Sequence, residues 1–326
     1  MHPQIVIEND LGGELFKPDQ LEMVSRKALA AGDTKITGQH DGYFTDWQDN
    51  VYDPTRDPSV ISVADGGECT EPWALSLAQG HALNKIWYGP TLDGKVPDPS
   101  IDNGTNATRP DHQVWWGKIR GTRIDFADKP RIVSGSHLAV ALADPSLAPP
   151  EWKDPKGRNQ NGWGKWTHEQ YAQAMLKCRE LDATFEKMDA DDADLRPFQQ
   201  TGNKILVYHG LADPGVAPQS SVHYYQESCK YTGGLGKTQE FHRLFLIPGM
   251  GHCFRSRGTA GNANIPIPSL EEMFEVLTTW VEKDQAPKSI LATSVDGKVS
   301  RPICMYPGLP KYNGSGDVSS ASSFSC

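Results

Sequence analysis

The stretch that decides the fold is KILVYHG, residues 204–210, an almost continuous apolar run of strand length. Such a run is typical of a parallel strand that is buried on both faces. It is followed by a polar loop and by a helical segment at 219–230, QSSVHYYQESCK. A second strand at 242–249, HRLFLIPG, and a helix at 269–284, SLEEMFEVLTTWVEKD, come next. This repeated order of strand, loop and helix predicts an α/β fold with a doubly wound parallel sheet.

Two titratable side chains follow the predicted strands. Asp213 lies in HGLAD after the first strand, and His252 lies in PGMGHC after the second. The carboxyl ends of adjacent parallel strands meet at one edge of a sheet, so we expect these side chains to lie close together. A carboxylate that accepts from an imidazole fixes its tautomer and stabilises the imidazolium. Acid before histidine is also the chain order of α/β-hydrolase triads. Alternatively, Asp213 is a turn residue of Asp-Pro-Gly and His252 an ordinary loop histidine.

The chain divides into three segments that differ in composition. Residues 1–32 are interpreted as a short lead-in and a helix of the hydrolase core, and residues 197–326 as the C-terminal part of that core. Residues 33–196 are rich in Asp-Pro, Asp-Gly and Gly-Pro pairs, with helices predicted around 73–88 and 167–188. Long irregular segments commonly cover sites or bind ligands. The predicted fold is therefore α/β-hydrolase-like, with a partial parallel sheet and a large loop-rich lid insertion.

Charge and hydropathy exclude several classes of partner. The 32 basic and 41 acidic residues give a net charge of −9, and there is no dense Lys/Arg run. Nucleic acid and anionic membrane surfaces are therefore poor candidate partners. The sequence has no apolar stretch of the roughly 20 residues that a membrane span needs. The first residues, MHPQIVIENDLGGELF, also lack the features of a signal peptide.

Whereas the first residues lack the features of a signal peptide, the cysteines indicate an oxidising compartment. Cys304 and Cys326 bracket a Gly-, Pro- and Ser-rich tail that has almost nothing to bury. A disulfide closing this loop would stabilise it by roughly 3 kcal/mol, and disulfides imply an oxidising compartment. The alternative is two unpaired thiols on a frayed terminus. The pairing of the other cysteines is left open by the sequence; these are Cys69, Cys178, Cys229 and Cys253.

Three motifs together resemble the tannase and feruloyl esterase family. They are HGLADPGVAP followed by HYY, then FHRLFLIPGMGHC, and then the tail RPICMYPGLPKYNGSGD…FSC. The resemblance is close over residues 190–326 and looser through LAQGHALNKIWYGP and the loop near Asp41. It implies a secreted or periplasmic serine hydrolase of phenolic or aromatic carboxylic esters, with a lid inserted into an α/β-hydrolase core. It also implies that Asp213 is the triad acid and His252 the triad base.

The sequence departs from the family pattern at the nucleophile. The family's Gly-Cys-Ser-x-Gly-Gly elbow has no counterpart here, and there is no G-x-S-x-G motif either. The nearest imitation is VSGSHLAV, with Ser134 and Ser136, which fit equally well as ordinary loop serines. Family members bridge the cysteine beside the histidine to the one beside the serine, and Cys253 lacks that partner. The sequence therefore predicts a fragment without the serine region, inactive or nearly so as an isolated chain.

The family's lid also carries a calcium loop of the form C-D-x-x-D-G-x-x-D-G. Residues 32–46, GDTKITGQHDGYFTD, match its final Asp-Gly at Asp41. Asp33 matches the first aspartate only with a one-residue insertion, and Thr37 stands where the middle aspartate would be. Because Ca²⁺ prefers six to eight oxygen ligands, the loss of a carboxylate should weaken the site. Asp33 and Asp41 are thus candidate ligands of a degenerate calcium loop, the alternative being a solvated Asp/Gly loop.

Several further features leave two interpretations open. Asn103, Asn106 and Asn313 begin N-x-Ser/Thr sequons, which become glycosylation sites only in a protein that a eukaryote secretes. The tryptophans Trp87, Trp115 and Trp116 fit either an aromatic-ester pocket or core packing.

The sequence supports three functional hypotheses. The first is a carboxylic-ester hydrolase with a Ser-Asp-His triad. The second is a catalytically incomplete homologue that binds an aromatic or sugar ligand, and the third is a calcium-dependent structural domain. No organic cofactor is implied, and the sequence leaves the ester substrate and the oligomeric state open.

Overall fold

The computed structural model describes residues 1–34, 36–124, 138–147, 162–181, 189–254 and 263–326. The chain forms two compact units. The first consists of Met1–Val24, Val51–Arg120 and Ile124–Ala190, and the second of Ser25–Asn50, Gly121–Arg123 and Asp191–Cys326. The predicted boundaries near residues 32 and 196 stay a prediction, and residues 25–50 belong to the same compact unit as the C-terminal region.

The helices of the described residues are, in chain order, α1 (His2–Asp10), α2 (Pro18–Ala30), α3 (Leu77–Tyr88), α4 (His168–Leu181), α5 (Arg196–Gln200), α6 (Pro218–Tyr231), α7 (Leu235–Thr238) and α8 (Leu270–Lys283). The strands are β1 (Ile205–Gly210), β2 (His242–Ile247), β3 (Ser289–Thr293), β4 (Ser300–Cys304), β5 (Lys311–Tyr312) and β6 (Phe324–Ser325). Among the described residues, no helix combines the length and the apolar character that crossing a membrane requires.

The second unit is built on the two strands that the sequence predicts. β1 and β2 pair in parallel, with Ile205 opposite His242 and Gly210 opposite Ile247. The connection between them runs through α6 and α7. α6 begins at Pro218, which suits the first turn of a helix because its missing N–H has no intrahelical partner there. The predicted α/β class is thus confirmed, with a small parallel sheet and helices between its strands.

α8 and the C-terminal hairpins complete this unit. α8 begins with a capping box, in which the Ser269 hydroxyl accepts from the Glu272 N–H and the Glu272 carboxylate accepts from the Ser269 N–H. β3 pairs antiparallel with β4, and β5 with β6. An antiparallel bridge joins Phe245 of β2 to Met305. The buried core contains Phe245, Ile247, Met250, Met273, Ile290, Ala292 and Ile303.

The first unit is mostly loops around a few helices, as the sequence predicts. α3 starts with a capping box formed by Ser76 and Gln79. Its Trp87 is fully buried, and so is Arg120, which donates to the Asn84 side chain at 2.7 Å. A separate apolar cluster consists of Ile5, Leu138, Ala139, Leu147, Trp163 and Tyr171.

Candidate active site

Asp213 lies in the turn that follows β1. Its Oδ1 accepts the backbone N–H groups of Gly215 at 2.7 Å and Val216 at 2.9 Å. The residue is only 5% exposed. Asp213 is therefore the turn residue of Asp-Pro-Gly. The turn engages only its Oδ1, which leaves Oδ2 for another partner.

That partner is His252, in the turn that follows β2. Its Nδ1 lies 2.9 Å from Oδ2 of Asp213. Because an ionised carboxylate only accepts hydrogen bonds, a neutral imidazole in this contact carries its hydrogen on Nδ1 and presents the Nε2 lone pair on the other side. The His252 side chain is 55% exposed. The ring is therefore oriented by Asp213 and accessible at the nitrogen that could accept a proton.

A glycine allows the two turns to approach. A Cβ on Gly210, the last residue of β1, would lie 2.1 Å from the carbonyl oxygen of Met250. Only glycine fits at that distance. Beside the histidine, Cys253 has φ 55° and ψ 53°, a left-handed conformation that costs free energy for a non-glycine residue. The absence of a side chain at Gly210 thus lets the turn after β2 lie against the end of β1.

The Asp213 carboxylate is held in its ionised form. Burial alone would raise its pKa. Four hydrogen bonds outweigh burial and keep the pKa well below its usual range, and their donors are His209, the Val216 N–H, His252 and the Gly215 N–H. At neutral pH the side chain therefore carries a full negative charge next to the imidazole.

A second histidine faces the same carboxylate oxygen. Nε2 of His209, in β1, lies 3.5 Å from Oδ2 of Asp213. Its Nδ1 lies 2.7 Å from the hydroxyl oxygen of Ser221 in α6. His209 was not predicted as a site residue, although a histidine four residues before the acid, at the end of a predicted strand, was a visible signal.

The described residues place no hydroxyl on the open side of His252. Within them, Nε2 of His252 makes no hydrogen bond. Cys253 is a free, exposed thiol. Ser134 and Ser136, the nearest imitation of an elbow, lie outside the described residues. Among the described residues, the site thus brings together an acid and a base, with no hydroxyl bonded to that base.

Comparisons with known proteins identify the family of the chain. A family model described as tannase and feruloyl esterase matches residues 154–326, more than half of the chain. The chain belongs to this family. A probable feruloyl esterase from Arthroderma benhamiae is 38% identical over 99% of the chain. A mono(2-hydroxyethyl) terephthalate hydrolase from Piscinibacter sakaiensis is 33% identical over 42% of it.

A solved structure shares the fold. The crystal structure of feruloyl esterase B from Aspergillus oryzae superposes with a TM-score of 0.73 at 18% identity, covering 100% of the chain. At this identity the likeness shows the fold alone, and it supports the α/β-hydrolase-like prediction. The chain spans 55% of the length of the Arthroderma relative, 22% of the Piscinibacter relative and 60% of the solved structure.

The calcium loop implied by the family resemblance does not fit the metal in this member. Asp33 lies 2.6 Å from Nδ1 of His40 and accepts the Gly42 N–H at 2.9 Å. Asp41 faces the Arg301 guanidinium at 3.3 Å and the Thr37 hydroxyl at 3.3 Å. In the described part of the chain, no three His, Cys, Asp or Glu side chains converge on a metal position. The two aspartates thus have Arg301 and His40 as partners in this structure, and calcium binding stays a prediction.

The predicted disulfide is present in this family member. Cys304 and Cys326, 22 positions apart in the sequence, are bonded and close the tail into a loop. Cys69, Cys178 and Cys229 are free thiols in the structure.

Trp87 is part of the core, since it is fully buried. Trp115 is 37% exposed and packs with Trp116 beside the Arg109 guanidinium. The Asn103 side chain is buried and accepts from the Thr105 N–H and hydroxyl, which makes it a turn residue in this structure.

Proposed function

We propose that this chain supplies the acid and the base of a carboxylic-ester hydrolase acting on phenolic or aromatic esters through a Ser-Asp-His triad. The observation that carries the proposal is the 2.9 Å contact between Nδ1 of His252 and Oδ2 of Asp213 at the ends of two parallel strands. Family membership supports the esterase class. Phenolic or aromatic esters are the substrates that the names of relatives suggest, and a secreted or periplasmic location remains part of the proposal.

The chemistry follows from the two nitrogens of His252. Nε2 takes the proton of a serine hydroxyl as its oxygen forms a bond to the ester carbonyl, and Asp213 stabilises the imidazolium. The same proton then passes to the departing alcohol as the acyl-enzyme forms. Water, deprotonated by His252, releases the acid and regenerates the serine. Because the described residues show no hydroxyl at Nε2, we expect weak or no hydrolysis of an unactivated ester by the isolated chain.

The open Nε2 favours a second candidate function, a homologue that binds an aromatic ligand without hydrolysing it. A binding module has no need of an ionised carboxylate aligned on an imidazole, which counts against this candidate. The third hypothesis, a calcium-dependent structural domain, loses its basis because Arg301 and His40 face the two aspartates.

Methyl ferulate hydrolysis by the purified chain separates these functions. The variants are His252→Ala and Asp213→Asn, with His81→Ala as the control because His81 is exposed on α3. Hydrolysis that both site variants lose and His81→Ala keeps supports the triad and places its nucleophile in this chain, with Ser134 and Ser136 next to test. Hydrolysis that survives His252→Ala overturns the proposal. If the chain binds ferulate without hydrolysing methyl ferulate, an activated p-nitrophenyl ester decides: a rate that depends on His252 supports the proposal, and a rate equal to that of His252→Ala supports the binding homologue.

A further inference from the structure

Oδ2 of Asp213 lies between two imidazoles. His252 approaches it with Nδ1 at 2.9 Å, and His209 approaches it with Nε2 at 3.5 Å. The two rings differ in environment, because the His209 side chain is 11% exposed and that of His252 is 55% exposed. A buried and an exposed histidine thus share one carboxylate oxygen.

The hydrogen positions on His209 follow from its neighbours. The ionised Asp213 can only accept, so a favourable contact needs the hydrogen of His209 on Nε2. Nδ1 is then an acceptor, and the Ser221 hydroxyl 2.7 Å away donates to it. Ser221 lies in the first turns of α6, so the helix fixes the tautomer of His209. This assignment comes from the hydrogen-bond network.

We infer that His209 is a positioning residue, which acts through Asp213 to hold His252 in the tautomer with its hydrogen on Nδ1. Two backbone N–H groups fix Oδ1 of Asp213, whereas Oδ2 has only side-chain partners. An exposed ring alone restrains Oδ2 weakly, because water competes for the N–H of His252. The buried His209 N–H keeps Oδ2 directed at His252. The effect of His209 on catalysis rests on the proposed function, whereas its effect on the tautomer of His252 does not.

The test reads the tautomer of His252 directly. Nitrogen NMR shifts of the full chain, labelled with 15N-histidine, give the Nδ1–H to Nε2–H ratio of each neutral ring. The spectrum of His252→Gln identifies the signals of His252 among the 10 histidines. We expect His209→Ala to lower the ratio at His252 about fivefold, the factor that corresponds to the net free energy of one hydrogen bond, about 1 kcal/mol.

Two further variants separate positioning from loss of structure. Gln at position 209 keeps an N–H donor near the place of Nε2, so His209→Gln should retain most of the wild-type ratio. Ser221→Ala removes the hydroxyl that donates to Nδ1 of His209, so the tautomer of His209 is no longer fixed. The ratio at His252 should then fall by an intermediate amount. If His209→Ala does not fold, the fall in Ser221→Ala carries the test. Thermal unfolding reports any general loss of structure. Such a loss would lower the ratio at His252 in His209→Ala and His209→Gln alike.

The inference is overturned if the ratio at His252 is unchanged in His209→Ala or, should that variant not fold, in Ser221→Ala. An equal fall in His209→Gln and His209→Ala would also overturn it, since the donor would then be irrelevant. None of these readouts requires ester hydrolysis. Methyl ferulate hydrolysis that survives His252→Ala, together with the expected tautomer shifts, would reject the proposed function and leave the inference in place.

Discussion

Two carboxylate sites of the second unit were predicted from the same family resemblance, and they differ in what faces them. Asp213 is buried against an imidazole whose side chain is 55% exposed. Asp41 faces the guanidinium of Arg301, whose side chain is only 9% exposed. A carboxylate beside an imidazole can take part in proton transfer, whereas one beside a buried guanidinium can only be neutralised. The partner, more than the aspartate, decides what each site can do.

Replacing Arg301 should have the largest effect on stability. Arg301→Met leaves the largely buried Asp41 without its cation, and breaking such a pair from one side costs about 3 kcal/mol. Denaturant unfolding at neutral pH measures this fall in the free energy of unfolding. The double variant Arg301→Met with Asp41→Asn removes both charges and should recover most of it. A single variant as stable as wild type would contradict the structural role of this pair.

The two aspartates should show opposite dependences of stability on pH. The folded pKa of Asp213 is lowered, so this group stabilises the fold above its unfolded pKa of about 3.9, and that contribution is lost as pH falls through the folded pKa. Burial raises the folded pKa of Asp41, more than Arg301 lowers it, so ionisation of Asp41 opposes folding at neutral pH. As the pH falls through this raised pKa, Asp41 becomes protonated and its unfavourable contribution to folding is lost.

Asparagine substitutions test these signs one at a time. Asp213→Asn should lower the free energy of unfolding at pH 7, with the difference from wild type shrinking below pH 4. Asp41→Asn removes an unfavourable ionisation but also leaves the Arg301 guanidinium without its carboxylate, so it should lower the free energy of unfolding at pH 7 less than Asp213→Asn does. Denaturant unfolding of both variants between pH 3 and pH 7 supplies the data. If both variants lose stability equally at pH 7, the contrast between the two sites is wrong.

Calcium should have the smallest effect. Because Arg301 and His40 already face the two aspartates of the loop, adding Ca²⁺ or a chelator should leave the thermal midpoint of the wild-type protein unchanged. Ca²⁺ prefers six to eight oxygen ligands, and the carboxylates of Asp33 and Asp41 already have other partners. Differential scanning fluorimetry with and without Ca²⁺ makes the comparison, and a clear calcium-dependent rise would restore the degenerate calcium loop.

The sequence was sufficient for the parts of the site that depend on strand ends. KILVYHG and HRLFLIPG identify two parallel strands, and the ends of parallel strands place Asp213 near His252 whatever else the fold contains. The disulfide was predictable because the tail between Cys304 and Cys326 has nothing else to order it.

The remaining contacts depend on distant parts of the chain. Arg301 is 260 residues from Asp41, so no local pattern could show that it neutralises the loop. The role of His209 depends on where α6 places Ser221, which the strand pattern does not determine. Likewise, the assignment of residues 25–50 to the second unit is a property of packing and not of local sequence.

The central claim is that Asp213 prepares His252 to act as a base, and hydrolysis of an activated ester such as a p-nitrophenyl ester tests it most directly. Such an ester reacts with an exposed imidazole even where no serine assists. Asparagine at position 213 would donate to Nδ1 of His252 and turn the Nε2 lone pair into an N–H. We predict that His252→Ala and Asp213→Asn lower the rate at least about tenfold, within the range of a positioned base, while Asp41→Asn keeps the wild-type rate. A wild-type rate equal to that of His252→Ala would contradict the account.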